Sequence, residues 1–220
     1  TRNAVLLDWL DGPSLGDLTR AGRDAEAADR LLAMARRLRG GDPDIAGLPC
    51  LDTWFADLVA ADFAADCPAP ARRAITRARA IATGLLATAP PPRPLHGDLH
   101  HDNVRLGSDG WRAFDAKGVA GDPGYELANA FRNPKGAGAV HRDPARIDRL
   151  ADLWAPGLGL ERRRLLGWAC AKTALSIAWR ARGRIGDDPE HDLLAILLDR
   201  HDAARPPRTK KGGTDDRSRP

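Results

Sequence analysis

The residues 93–123, RPLHGDLHHDNVRLGSDGWRAFDAKGVAGDP, gather three His, several Asp and one Asn into a short span. Two chemistries could use such a set. Phosphoryl transfer to a hydroxyl needs one carboxylate to orient the nucleophile and accept its proton, and oxygen ligands to hold magnesium against the phosphates of ATP. Asp98, Asn103 and Asp115 supply that minimum in order. The rival is metal-dependent hydrolysis, because H-x-D-x-H-H-D has the composition of a zinc cluster. That reading needs further ligands from distant loops. It also leaves the order Asn103, hairpin, Asp115 without a purpose.

Asp98 and Asn103 stand five residues apart, the Asp-to-Asn separation of the protein-kinase catalytic loop. The segment NVRL, a Gly-Ser-Asp-Gly turn and WRAFD predict a hairpin pairing 103–106 with 111–115. A hairpin's two ends are neighbours, so Asp115 returns beside Asn103. Each residue also has a plain structural alternative. Asp98 could be a turn residue, Asn103 could lead a strand, and Asp115 could cap the following turn. His96 reads as a residue that holds the loop by hydrogen bonds. Of His100 and His101, one is expected to pack against the loop and the other to face solvent or substrate. Lys117 reads either as a phosphate or substrate contact or as a solvated surface lysine.

The elements that must position this segment are mostly helical. NAVLLDWL (3–10) predicts a short buried strand followed by a turn at DGPS. Helices are predicted over 24–39, capped by Asp24 and stopped by Gly40, and over 51–66 and 71–89. A further helix is predicted from Asp122 and Pro123 to about Arg132. Three more are predicted near 145–154, 161–182 and 189–203, the last started by Pro189. The expected class is therefore α+β: a mostly helical lobe with one strand at the front and a site built on a small hairpin.

Composition sets the outer limits. With 220 residues, 43% of them hydrophobic, the chain can bury a sizeable core. The net charge is +4, and residues 205–220 hold six basic side chains against two acidic ones, which is the whole excess. The body over 1–204 is thus neutral and offers no basic stripe for nucleic acid; 205–220 is expected to be a disordered basic tail. Cys50, Cys67 and Cys170 have no metal spacing and suit reduced thiols in a cytoplasm. No apolar run approaches a membrane span of about 18 residues.

The motifs together resemble the aminoglycoside phosphotransferase superfamily, and within it the streptomycin 6-kinase group of aminoglycoside/hydroxyurea antibiotic resistance kinases. The family's H-G-D-L-H-x-x-N is matched from His96 to Asn103, and its aspartate-small-lysine-glycine element by Asp115 to Gly118. Its G-D-P-x-x-D-L-A-N element is matched by Gly121 to Asn129, with Glu126 where the family usually has Asp, and FRNP (131–134) completes it. The resemblance makes the helical lobe a protein-kinase-like C-terminal lobe with a hinge strand and a small catalytic hairpin. It implies an ATP- and Mg²⁺-dependent transfer of the γ-phosphoryl group to a hydroxyl of a small cationic molecule such as streptomycin. It implies Asp98 as the base or hydroxyl-orienting group, Asn103 and Asp115 as magnesium ligands, and Asp122 and Glu126, with His96, His100 and Lys117, as supporting residues. AVLLDWLDGPSLGDL is similar to the family's hinge, so residues 1–12 would bind adenine through the Asp8 carbonyl and the Leu10 amide. In the family the hinge follows a sheet-rich lobe carrying a phosphate-binding lysine, whereas the first lysine here is Lys117. The expectation is a chain that is mainly C-terminal lobe, with a non-catalytic remnant acting at most as a binding module as the alternative.

Overall fold

The computed structural model describes residues 9–40 and 44–204. Asp8, most of the predicted strand 3–10 and the tail 205–220 lie outside them. Trp9 and Leu10 are not in a strand. Pairing begins just beyond them, where Gly12 N donates to Leu106 O (3.1 Å), Leu106 N to Pro13 O (3.0 Å), and Ser14 bridges to Arg105.

Eight helices and six short strands make up the described body. α1 (Leu15–Arg20) follows the expected DGPS turn where no helix is predicted; a capping box forms it, in which Ser14 Oγ accepts from Asp17 N at 3.0 Å and Asp17 Oδ2 accepts from Ser14 N at 2.8 Å. α2 (Asp24–Arg39) sits where its periodicity places it. Asp24 does not cap it. Its carboxylate instead accepts both Arg146 Nε (2.9 Å) and Nη2 (3.0 Å), and Arg146 is 1% exposed. α3 (Leu51–Ala60) ends six residues short of the expected bound. There β1 (Asp62–Phe63) turns extended to pair in parallel with β6 (Arg184–Ile185), so a long-range ladder overrides local helix propensity.

α4 (Ala69–Ala87) leads into β2 (Arg93–Leu95), which pairs antiparallel with β5 (Val119–Gly121). Between them lies the predicted hairpin, β3 (Val104–Gly107) with β4 (Gly110–Ala113). The helix expected from Pro123 to Arg132 is two 3-10 turns, Pro123–Tyr125 and Ala128–Arg132, because Glu126 and Asn129 turn inward to the loop at 96–98. A short α5 (Gly138–His141) precedes α6 (Pro144–Gly157), α7 (Arg162–Ala181) and α8 (His191–Ala203).

α7 is the axis of the body. Every residue from Leu165 to Ala178 is buried, as expected of a helix covered on all sides. Trp168 stacks edge-on against Tyr125 (5.5 Å) and packs against Phe55 (5.7 Å), while Trp154 of α6 meets Phe131 at 5.2 Å. The hairpin and its loops rest on this core. No described helix is long and apolar enough to cross a membrane. Cys50, Cys67 and Cys170 are free thiols.

Candidate active site

The β2–β5 pair delivers two loops to one place: 96–103 leaves β2 and 114–118 enters β5. They are sewn together by Lys117 N to His96 O (2.8 Å) and Phe114 N to Asn103 O (3.1 Å). His96 is the clasp between them. Its Nδ1 accepts from Asp98 N (3.3 Å), so Nε2 carries the proton and donates to Phe114 O (3.0 Å). Burial lowers the His96 pKa, which keeps this neutral tautomer. Gly97 has φ +79°, and an added Cβ would stand 3.0 Å from both Trp54 and Val119, so only glycine fits the bend.

Asp98 emerges from that bend with its side chain 22% exposed. Asn129 Nδ2 donates to its Oδ1 at 2.6 Å, and Asn103 Nδ2 donates to its backbone oxygen at 3.0 Å and to Oδ2 at 3.4 Å. Arg132 Nη1 donates to Asn129 Oδ1 (3.1 Å), fixing which way that amide faces; Glu190 in turn holds Arg132. His100 Nε2 lies 3.9 Å from Asp98 Oδ2, and burial pushes its pKa down, so it does not neutralise the carboxylate at pH 7. Asp98 is therefore oriented by two amides and forms no ion pair with a Lys or Arg among the described residues, an arrangement that suits a hydroxyl-orienting group.

Asn103 is buried with its amide NH₂ committed to Asp98, and its Oδ1 accepts no hydrogen bond among the described residues. Asp115 is exposed, sits at φ +60° in the left-handed region, and pairs with Lys117 Nζ at 2.7 Å, which holds its carboxyl below the usual range. A non-glycine residue held there is a local strain of the kind found at functional sites. An amide oxygen and a carboxylate on facing loop ends suit a hard divalent cation. Leu10 lines a cleft of about 840 Å³ beside the hairpin with Trp9, Arg105, Asp109, Arg112 and Phe114.

Both loop histidines are buried: His101 packs, as expected of one of the pair, and His100 does not face solvent but lies beside Asp98. His101 is wholly enclosed between Arg146 and Trp154. Among the described residues no three His, Cys, Asp or Glu side chains gather as a metal cluster, so the residues offered to the hydrolase reading do not converge. Asp122 caps the turn at Pro123 and is 1% exposed.

Glu126 is 2% exposed and braces the loop from below, its Oε2 accepting from His96 N at 3.2 Å. Burial raises its pKa to about 7 against the two backbone N–H groups that favour the anion. The folded state thus binds a proton that the unfolded chain releases above about pH 4.5, and stability drops as pH rises through that window to about 7. Five buried histidines with lowered pKa values act in the opposite sense below about 6.5, so the contribution is read by difference. Glu126→Gln is expected to gain up to about 3 kcal/mol relative to wild type between pH 5 and 8. Urea denaturation of both proteins across that range checks it; a constant difference removes the raised pKa.

Several residues of the site were not singled out from sequence. Asn129 was visible inside the ELAN element, but only the fold brings it to Asp98. Asp102 accepts from Arg20 Nη2 and Lys135 N, both at 3.0 Å, and so anchors the far end of the loop to α1. Trp54, Trp179 and Lys172 form a wall beside Gly97. A lone lysine in the apolar run GWACAKTALSIAW was the available signal for the last.

The helical body with a loop-and-hairpin site is a protein-kinase-like fold. It is similar to a choline/ethanolamine kinase family protein from Mesorhizobium loti (TM-score 0.54, 16% identity, 88% of this chain and 65% of that one). It is also similar to the choline kinase LicA from Streptococcus pneumoniae (TM-score 0.57, 10% identity, 88% of this chain and 68% of that one). Residues 1–183 match the model of the aminoglycoside/hydroxyurea antibiotic resistance kinases, and the chain belongs to that family. It is 36% identical to a streptomycin 3''-kinase of Klebsiella pneumoniae over 186 residues, covering 80% of this chain and 66% of the relative. A hydroxyurea phosphotransferase of Kitasatospora aureofaciens is 33% identical over 204 residues (89% and 57%), and a streptomycin 6-kinase of Streptomyces griseus 31% over 200 (88% and 61%). The chain thus spans less than two thirds of the length of these curated relatives.

Proposed function

We propose that this protein transfers the γ-phosphoryl group of ATP to a hydroxyl of a small-molecule antibiotic, with streptomycin as the first candidate acceptor and hydroxyurea as the second. The observation that carries the reading is Asp98. Two side-chain amides aim its carboxylate, no cation pairs with it, and it stands on the loop that leads to Asn103 and Asp115. Magnesium bound with ATP supplies charge neutralisation on the phosphates. Asn103 Oδ1 and the Asp115 carboxylate would hold it, with Lys117 released from Asp115 as the metal takes its place. Asp98 orients the acceptor hydroxyl and receives its proton as the new bond from that oxygen to the γ-phosphorus forms and the bond from the γ-phosphorus to the β–γ bridging oxygen breaks, with ADP as the leaving group. Asn129 and His96 keep that carboxylate and its backbone still. Positioning and electrostatics, rather than a covalent intermediate, are the means.

Leu10, on the cleft beside the hairpin, and Asp8 are assigned to adenine through their backbone. Residues 1–204 are taken as one kinase-like C-terminal unit with its hinge at 1–12, and the place of action as the cytoplasm, where ATP is supplied.

Labelled γ-phosphate from Mg·ATP should appear on streptomycin or hydroxyurea and vanish when magnesium is chelated; phosphate released only to water, with neither acceptor labelled, would reject the reading. Asp115→Asn, chosen because Asn tolerates positive φ, is expected to weaken Mg·ATP binding at least about tenfold by removing a charged ligand. Calorimetric titration checks this, and unchanged affinity would remove Asp115 from the metal site.

A further inference from the structure

Lys172 is the one buried charge near Asp98 that the chemistry above does not use. It is 4% exposed, in the middle of α7, and its Nζ lies 4.4 Å from the Trp179 ring centroid. Among the described residues it makes no hydrogen bond and has no carboxylate at ion-pair distance. The nearby acids are committed elsewhere: Glu190 to Arg132 and Arg180, and Asp188 to Arg180. A cation–π contact contributes about 0.5–2 kcal/mol, whereas burying an unpaired ammonium costs several. A methionine would fill the same space between Trp168 and Trp179 without that cost. The Nζ atom itself is not fully enclosed, so the ammonium is open to an oxygen ligand arriving from outside.

Its surroundings show what that ligand is. Trp179 is fixed by its indole N–H to Asp57 Oδ2 (2.8 Å) and meets Trp54 edge-on at 5.8 Å; Trp54 reaches to Gly97, next to Asp98. α7 packs along the 3-10 turn that carries Asn129 and Arg132. Burial, followed by the Arg132 charge, lowers the Lys172 pKa to about 8 while Asp98 opposes, so the ammonium persists at pH 7. Lys172 is thus linked to the Asp98 loop by two routes, through Trp179 and Trp54 to Gly97 and through the turn that carries Asn129 and Arg132, on a side of the molecule separate from the cleft at Leu10.

We propose that Lys172 fixes the acceptor: its ammonium, lying on the face of Trp179, takes a second oxygen of the molecule whose hydroxyl Asp98 orients. The substrate class is then an oxygen-rich acceptor, a polyol or a hydroxyl compound with a nearby carbonyl, that presents no ammonium at this point of contact. This deepens the phosphotransferase reading and rests on it for the role of Asp98. Any cationic groups of the acceptor must lie elsewhere on the molecule.

The test measures binding and transfer separately. Streptomycin and hydroxyurea are titrated calorimetrically into wild type, Lys172→Met and Lys172→Arg, with Mg·ATP titrated as a control. Lys172→Met should fold at least as stably as wild type, since it removes an unpaired buried charge. Loss of one charge-assisted hydrogen bond should weaken acceptor binding roughly 10- to 100-fold, with Mg·ATP affinity within about twofold and partial rescue by Arg. In parallel, an amine-reactive label read by peptide mass should modify Lys172 in the free protein and be blocked by the bound acceptor, while Lys117 and Lys135 stay reactive. Equal acceptor affinity in wild type and Lys172→Met, binding of neither probe by wild type, or no protection of Lys172 overturns the inference. Lys172-dependent binding without any phosphoryl transfer rejects the kinase chemistry and keeps the acceptor site.

Discussion

Asp98→Asn is expected to lower the rate of phosphoryl transfer about 10³-fold while moving the melting temperature by no more than a few degrees. A positioned general base contributes roughly 10²- to 10⁴-fold. The structure says why the two effects separate. The Asp98 side chain faces the cleft, and its structural hydrogen bonds are few: Asn129 to Oδ1, and the longer Asn103 contact to Oδ2. An asparagine can keep its oxygen toward Asn129. What it loses is the anion that accepts the hydroxyl proton. Single-turnover kinetics with saturating acceptor, beside a thermal melt of both proteins, measure the two quantities. A variant that retains a tenth or more of the wild-type rate would show that Asp98 does not handle the proton.

The second large effect is on stability. Asp122→Ala is expected to cost about 3–5 kcal/mol, because it strips four N–H donors on three residues of one buried acceptor. Asp122 Oδ1 accepts from Gly124 N at 2.7 Å; Oδ2 accepts from Trp168 Nε1 at 3.0 Å and from Arg164 Nε at 2.9 Å, with Arg164 Nη2 also on it. Removing the carboxylate leaves a guanidinium without its anion and a core indole N–H without an acceptor. For a body of this size that corresponds to a fall of about 10 °C in melting temperature. The loss should also reach the site, since the turn that Asp122 caps leads directly to Glu126 and Asn129. A chemical-denaturation difference below about 1 kcal/mol would mean that water replaces the carboxylate and that Asp122 is not a keystone of this turn.

Much of this was legible in the sequence because local chemistry decides it. The 3.6-residue periodicity of α2 needs no tertiary information, and the Gly-Ser-Asp-Gly turn sets its own hairpin. The spacing of Asp98, Asn103 and Asp115 survives because a short loop and a two-residue turn leave little freedom. What sequence did not reveal depends on partners far along the chain. α3 stops at Ala60 because β6, some 120 residues later, offers a ladder. The segment after Pro123 breaks into two turns because Glu126 and Asn129 have partners at 96–98. Asp24 leaves its capping role because Arg146 is waiting, buried, on α6. Lys172 becomes informative only once Trp179, Trp54 and the Asp98 loop surround it.

The wall beside Gly97 and the clamp on Asp98 come from different parts of the chain. Asn103 and Asn129 hold the carboxylate, whereas Trp54 belongs to α3 and Trp179 and Lys172 to α7. Trp179 is 38% exposed and lies at the last turns of its helix, where replacement disturbs little of the core. Chemistry and recognition are thus separable inheritances. Under the proposed reading, changes in the wall would alter which acceptor is held while the clamp on Asp98 stays as it is.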